Sequence, residues 1–182
     1  DTALTNQAEY VRAPEAWMLA AFVLPTEKFD ATRQLLSQFD AQHPLRVAAL
    51  GPKTASANVF LEAVDDADAA IRSLSRHNVD LISMSHLEMF LPEDVDVALL
   101  NEARSLLGDL PVFWEAPPDR TEQTIALLAE FNSDADSATF GYKLRTGGVT
   151  ADAFPTSMQI AKALVTPATH QVPLKFTAGL HH

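Results

Sequence analysis

The stretch Phe140-Gly141-Tyr142-Lys143-Leu144-Arg145-Thr146-Gly147-Gly148 decides how this chain reads. Its first residues have strand character, and strand side chains alternate between faces. Tyr142 and Leu144 therefore share one face, and Lys143 and Arg145 share the other. A second stretch has the same form: Val172-Pro173-Leu174-Lys175-Phe176-Thr177-Ala178-Gly179-Leu180-His181-His182. There Leu174 and Phe176 oppose Lys175 and Thr177. A helix-length segment separates the two. A lysine on a strand inside a sheet is costly to desolvate, so it carries a partner or a task.

Outward from this pair, apolar strand-like runs recur at residues 17–24, 45–50, 81–91, 111–115, 139–145 and 173–177. Several are continuously apolar, as strands covered on both faces are. Helical patterns fill the gaps. Pro25-Thr26 precedes Phe29, Leu35, Leu36 and Phe39 at helical spacing. Phe60, Ala63, Val64, Ala67, Ile71 and Leu74 form a stripe, with Asp65, Asp66 and Asp68 assigned to its wet side. Pro92-Glu93-Asp94 is expected to open a helix that Gly108 ends. Residues 119–131 and 155–165 predict two more helices, the last capped by Thr156.

Repeated βα units with parallel strands leave a barrel or an open doubly wound sheet. No glycine-rich dinucleotide loop follows the first strand, which favours the barrel. The fold expected is therefore α/β, a parallel (β/α) barrel of TIM type. About six βα units are visible where a full barrel has eight. Residues 1–182 read as one such domain, lacking a terminal βα unit at each end. The start, Asp1-Thr2-Ala3-Leu4, lacks an initiator methionine and fits the same expectation.

Composition bounds the function. The chain has 182 residues, 47% apolar and 20% charged, with 24 acidic residues against 13 basic ones and a net charge of -11. That balance disfavours nucleic acid and anionic membranes as main partners, since both require a basic face. Cysteine is absent, which excludes disulfides and thiolate chemistry. No apolar run approaches the ~20 residues that span a bilayer, and Asp1-Thr2-Ala3-Leu4 shows no basic region followed by an apolar one, so the cytoplasm is the expected compartment. No cofactor is called for. Exposed sheet edges are compatible with homo-oligomers.

Glu88, Glu115, Lys143 and Lys175 end four successive strands, each about one βα unit from the next. Glu88 sits between Leu87 and Met89, and Glu115 follows Trp114. If the bulky apolar neighbours pack under helices, the charged residues point inward at the strand ends, where barrel active sites lie. A lysine partly desolvated among cations has a lowered pKa and can attack a carbonyl to form a Schiff base. Lys143 and Lys175 are the candidates, with Glu88 or Glu115 as proton shuttles. The competing reading is a structural ion network with neither lysine free. Arg145, Thr146, Gly147, Gly148, Thr177 and Gly179 are candidates for anion binding, because small residues let backbone amides approach phosphate. His181 and His182 are candidate metal ligands with a glutamate, but adjacent strand histidines point oppositely. His86 reads as a core or mouth residue.

Two resemblances add to this. Ala16-Trp17-Met18-Leu19, Phe22-Val23-Leu24-Pro25, Lys143-Leu144-Arg145-Thr146-Gly147-Gly148, Ala153-Phe154-Pro155 and Thr177-Ala178-Gly179-Leu180-His181-His182 are similar to an uncharacterised family of bacterial proteins. The likeness spans nearly the whole chain and implies a group whose members extend past both ends, but no reaction. Over a shorter span, Lys143-Leu144-Arg145-Thr146-Gly147 resembles the Lys-Thr-Ser-Thr-Gly motif of deoxyribose-phosphate aldolase. Lys175-Phe176-Thr177-Ala178-Gly179 resembles its Lys-Pro-Ala-Gly-Gly motif. That resemblance implies Lys143 as the Schiff-base lysine and Lys175 as the residue that lowers its pKa. Arg145 and Phe176 depart from the motifs, and Glu88 is only a stand-in for the aldolase's catalytic aspartate.

The function expected is a barrel enzyme acting on a small anionic carbonyl compound, phosphorylated ones included, by aldolase- or lyase-type Schiff-base chemistry. Two alternatives stand beside it. One is a phosphate- or carboxylate-binding barrel of phosphoribosyltransferase-like or metal-dependent type. The other is a non-catalytic binding or structural protein.

Overall fold

The computed structural model describes residues 2–133, 139–148, 150 and 153–178. Six strands form one sheet: β1 (Phe22–Pro25), β2 (Leu45–Leu50), β3 (Ile82–Phe90), β4 (Val112–Glu115), β5 (Phe140–Arg145) and β6 (Leu174–Thr177). Every neighbouring pair is parallel, and spatial order follows chain order without a reversal. A doubly wound sheet reverses its order at a switch point, so that alternative is excluded. The sheet curls into a half-barrel, with β1 and β6 at its open edges.

Each crossover between parallel neighbours carries helix. The helices are α2 (Phe29–Thr32), α3 (Phe60–Arg76), α4 (Val97–Leu107), α5 (Thr121–Ser133) and α6 (Ser157–His170), with α1 (Thr2–Tyr10) ahead of β1. The core fills the space between helices and sheet. Leu45, Val47, Leu87, Met89, Val112, Trp114, Phe140, Tyr142 and Leu144 are all buried there. Trp114 meets Phe60 at 5.2 Å and Phe140 edge-on at 5.4 Å, and Phe131 stacks on Phe140 at 4.4 Å. Burying one such aromatic contributes roughly 1.5–3 kcal/mol. Tyr142 satisfies its hydroxyl on Thr121 Oγ1 at 2.9 Å.

Some local expectations need correction. Residues 17–21 are not strand. Pro14–Met18 is a 3₁₀ turn, and Trp17 is 82% exposed. Pro92-Glu93-Asp94 does not open a helix. Asp96 caps α4 by accepting from the Leu99 amide at 2.9 Å, while Asp94 accepts from the amide of Ala57. The expected helix over 29–39 breaks into a short α turn and 3₁₀ turns. Asp68 is buried on α3 and pairs with Arg72. The last helix runs past 165 through buried Pro167. Gly108, with φ of 58°, ends α4, and Thr156 caps α6 in a reciprocal capping box with Gln159.

One irregularity positions the site. Val47 pairs with Met84, but the next residue, Ala48, pairs with His86. Ser85 is a surplus residue, a β-bulge in a parallel pair. Beyond it His86, Glu88 and Phe90 face the concave side, and Leu87 and Met89 face the helices.

Candidate functional site

Register carries the charged residues onto one surface. Phe90 pairs with Glu115, Glu115 with Lys143, and Lys143 with Lys175. Register partners in a parallel sheet share a face, so these side chains all project to the concave side near the carboxyl ends of β3 to β6. Active sites of βα barrels occupy that end.

Glu88 is the hub. Its Oε2 lies 2.7 Å from Lys143 Nζ, and its Oε1 lies 2.5 Å from Lys175 Nζ. His86 Nε2 is 3.1 Å from Glu88 Oε1 and 2.6 Å from Lys175 Nζ, and its Nδ1 meets Ser85 Oγ at 3.0 Å. Lys143 also reaches Glu115 Oε2 at 2.7 Å. The side chains of Glu88 and Lys143 are 1% and 6% exposed, whereas Glu115 is 24% and Lys175 23% exposed. Burial works to raise the Glu88 carboxyl, but bonds from His86, Lys143 and Lys175 outweigh it and hold the pKa at about 2. Glu88 is therefore an anion among its partners at any neutral pH.

Phe113 forms the floor of the network. Its ring meets His86 edge-on at 5.3 Å and lies 6.0 Å from Lys175 Nζ. Gly141, its register partner, makes room for it: a Cβ at 141 would stand 2.6 Å from that ring.

Four sequence-derived candidates thus form one cluster: Glu88, Glu115, Lys143 and Lys175. The two amines are joined through Glu88. Arg145 projects beyond the cluster, exposed, with its Nε donating to the Gly147 carbonyl at 2.9 Å. Thr146 donates both its amide and its hydroxyl to the Thr177 carbonyl, each at 2.9 Å, which ties β5 to β6. Gly148 packs so closely on Ala153 that a Cβ there would stand 2.4 Å from the alanine methyl. Gly179, His181 and His182 lie outside the described residues. Among the described residues no group of three histidine or acidic side chains is placed to hold a metal, and no helix is long and apolar enough to cross a membrane.

A cleft of about 280 Å³ opens beside the cluster, lined by Phe90, Glu115, Arg145, Phe154, Gln159 and Lys53. Among the described residues, Glu115 alone belongs to both network and cleft. Two participants were underread in the sequence. His86 is a full member of the network, and alternation counted back from Glu88 finds it. Lys53 follows Gly51-Pro52 at the end of β2, where the strand-end rule applied to the other four strands would have found it.

Comparison of the chain with family models, curated proteins and solved structures returns no match.

Proposed function

We propose that this chain carries the mouth of a TIM-type barrel enzyme that binds a small anionic carbonyl compound. The observation that carries the reading is Lys143 held between Glu88 and Glu115, with Glu115 opening into the cleft. A carbonyl entering the cleft meets Glu115 first and Lys143 directly behind it. In the covalent version Lys143 passes a proton to Glu115, and its freed amine adds to the carbonyl carbon. Glu115 then protonates the carbinolamine hydroxyl, which leaves as water and yields the iminium. Glu88 stays ionised throughout and stabilises the positive charge on nitrogen.

Borohydride reduction in the presence of small aldehydes and keto acids tests this version. The expected result is one reduced adduct per chain on Lys143, absent in Lys143→Met and retained in Lys175→Met at lower yield. No adduct with any carbonyl compound sinks the covalent version.

The same ion pairs favour a second reading, in which the network is a structural clamp across β3 to β6. Under it Lys143→Met lowers stability while ligand binding in the cleft stays unchanged.

A further inference from the structure

The cleft lined by Lys53 and Arg145 carries an inference that deepens the proposed function and rests on it for the surrounding chemistry. Carboxylates outnumber cations in this chain by 24 to 13, so a cation facing a cleft has ample opportunity to find an acid. Lys28, Arg33, Arg72 and Lys162 do so even on open surface. Among the described residues Arg46, Lys53, Arg76, Arg104, Arg120 and Arg145 have no carboxylate within ion-pair distance, and of these Lys53 and Arg145 are the two that line the cleft.

Each is instead held by a neutral partner. The Lys53 ammonium sits 4.5 Å from the centre of the Phe90 ring, a cation–π contact that fixes its position over the concave face and leaves its donors unused. Arg145 uses its Nε on the Gly147 carbonyl. That single bond orients the guanidinium and leaves the terminal nitrogens for a ligand. The remaining charge in the cleft wall, Glu115, is neutralised by Lys143 at 2.7 Å. Among the described residues, the cleft therefore presents two positive charges with no carboxylate partner. Gln159 adds a neutral polar group, and Phe90 and Phe154 supply apolar wall.

We infer that Lys53 and Arg145 together form a binding subsite for a doubly charged oxyanion, of the phosphate monoester class. One carboxylate would neutralise only one of the two cations. A dianion with three acceptor oxygens neutralises both, and arginine offers it paired donors. Lys53 is in this view the residue that makes the mouth select phosphorylated over carboxylate substrates. It sits on the loop after β2, and Arg145 ends β5, so one anion would bridge the two sides of the curled sheet.

Isotope-edited NMR titration with inorganic phosphate and, separately, with acetate tests the inference, both at one fixed ionic strength set with chloride. Phosphate should shift amides around Lys53, Arg145 and Gln159 and bind at least about tenfold more tightly than acetate. Lys53→Met and Arg145→Met should each weaken phosphate about tenfold. Lys53→Arg should retain binding, and Lys28→Met, a cation elsewhere on the surface, should leave it unchanged. Phosphate affinity equal in wild type and Lys53→Met overturns the subsite. Acetate binding as tightly as phosphate overturns its charge selection. Phosphate binding at Lys53, with no borohydride-trapped adduct on Lys143 from any carbonyl compound, would remove the covalent version and leave this subsite intact. An adduct formed with no dependence on Lys53 would do the reverse.

Discussion

The two halves of the concave face are built on one backbone plan and carry opposite chemistry. β1 and β2 present Val23, Arg46, Ala48 and Leu50 to it; β3 to β6 present His86, Glu88, Glu115, Lys143 and Lys175. Pairing is parallel and regular in both, apart from the bulge at Ser85. The difference teaches that the scaffold supplies positions and the side chains supply the function, since fold alone commits neither half to chemistry. It also separates two kinds of stability. The first half is held by apolar contact with the helices. The second adds buried charges that hold one another, and these are costly when any one is removed.

Breaking the hub should give the largest contrast. Glu88→Gln leaves Lys143 with only Glu115 and Lys175 with only His86, both near the protein interior. A loss of about 3–5 kcal/mol in urea unfolding is expected, against no more than about 0.5 kcal/mol for Val23→Thr on the half-exposed first half. Equal losses for the two variants would erase the distinction between the halves.

Acid should separate the halves next. The folded Glu88 pKa of about 2 lies below its ordinary value of 4.5. A carboxylate depressed by folding contributes stability that is fully present above 4.5 and is lost as pH falls through 2. The contribution is on the order of 3 kcal/mol. Stability measured from pH 6 downward should fall more steeply in wild type than in Glu88→Gln. Parallel curves would mean that Glu88 is not the group responsible.

The smallest effect sharpens the floor of the charged half. Gly141→Ala pushes a methyl into the Phe113 ring, with the Pro173 carbonyl 3.0 Å away on the other side. Overpacking of this kind costs about 1–3 kcal/mol. The ring must tilt, so the His86 and Lys175 resonances should shift while those of Val23 and Ala48 stay. Neutral stability with unmoved His86 signals would show that the floor yields freely.

Much of this was legible from residues. The five strands from β2 onward lie within a residue of the apolar runs; the runs at β2 and β3 are sharpest, bounded by Pro44 and Gly51 and by Asp80 and Pro92. The shared face of Lys143 and Arg145 followed from alternation alone. Residues 17–21 are apolar yet not strand, because no layer covers them; Trp17 lies in solvent. Asp68 was assigned to water because charge outweighed its place on the buried side of α3. What spacing could not give is which charged side chains meet. Strand order brings Glu88 within reach of Lys175, three strands away, and no local pattern encodes that distance. The Thr146 hydroxyl, a plausible anion ligand from sequence, reaches Thr177 for the same nonlocal reason.

The surplus residue Ser85 has a consequence for how the chain tolerates change. Counting by twos from buried Ile82 lands on His86 and Glu88, which would send both beneath the helices and turn Leu87 and Met89 outward. The bulge acts as a phase shifter that absorbs one count. Removing Ser85 outright would restore an even rhythm with the ionisable side chains still facing the mouth. Ironing the bulge flat while keeping the residue would drive a glutamate into the apolar layer. Strand slippage past this point is therefore opposed by electrostatics as well as by packing, and the alignment of the hub with its two lysines is locked by a single extra step in the backbone.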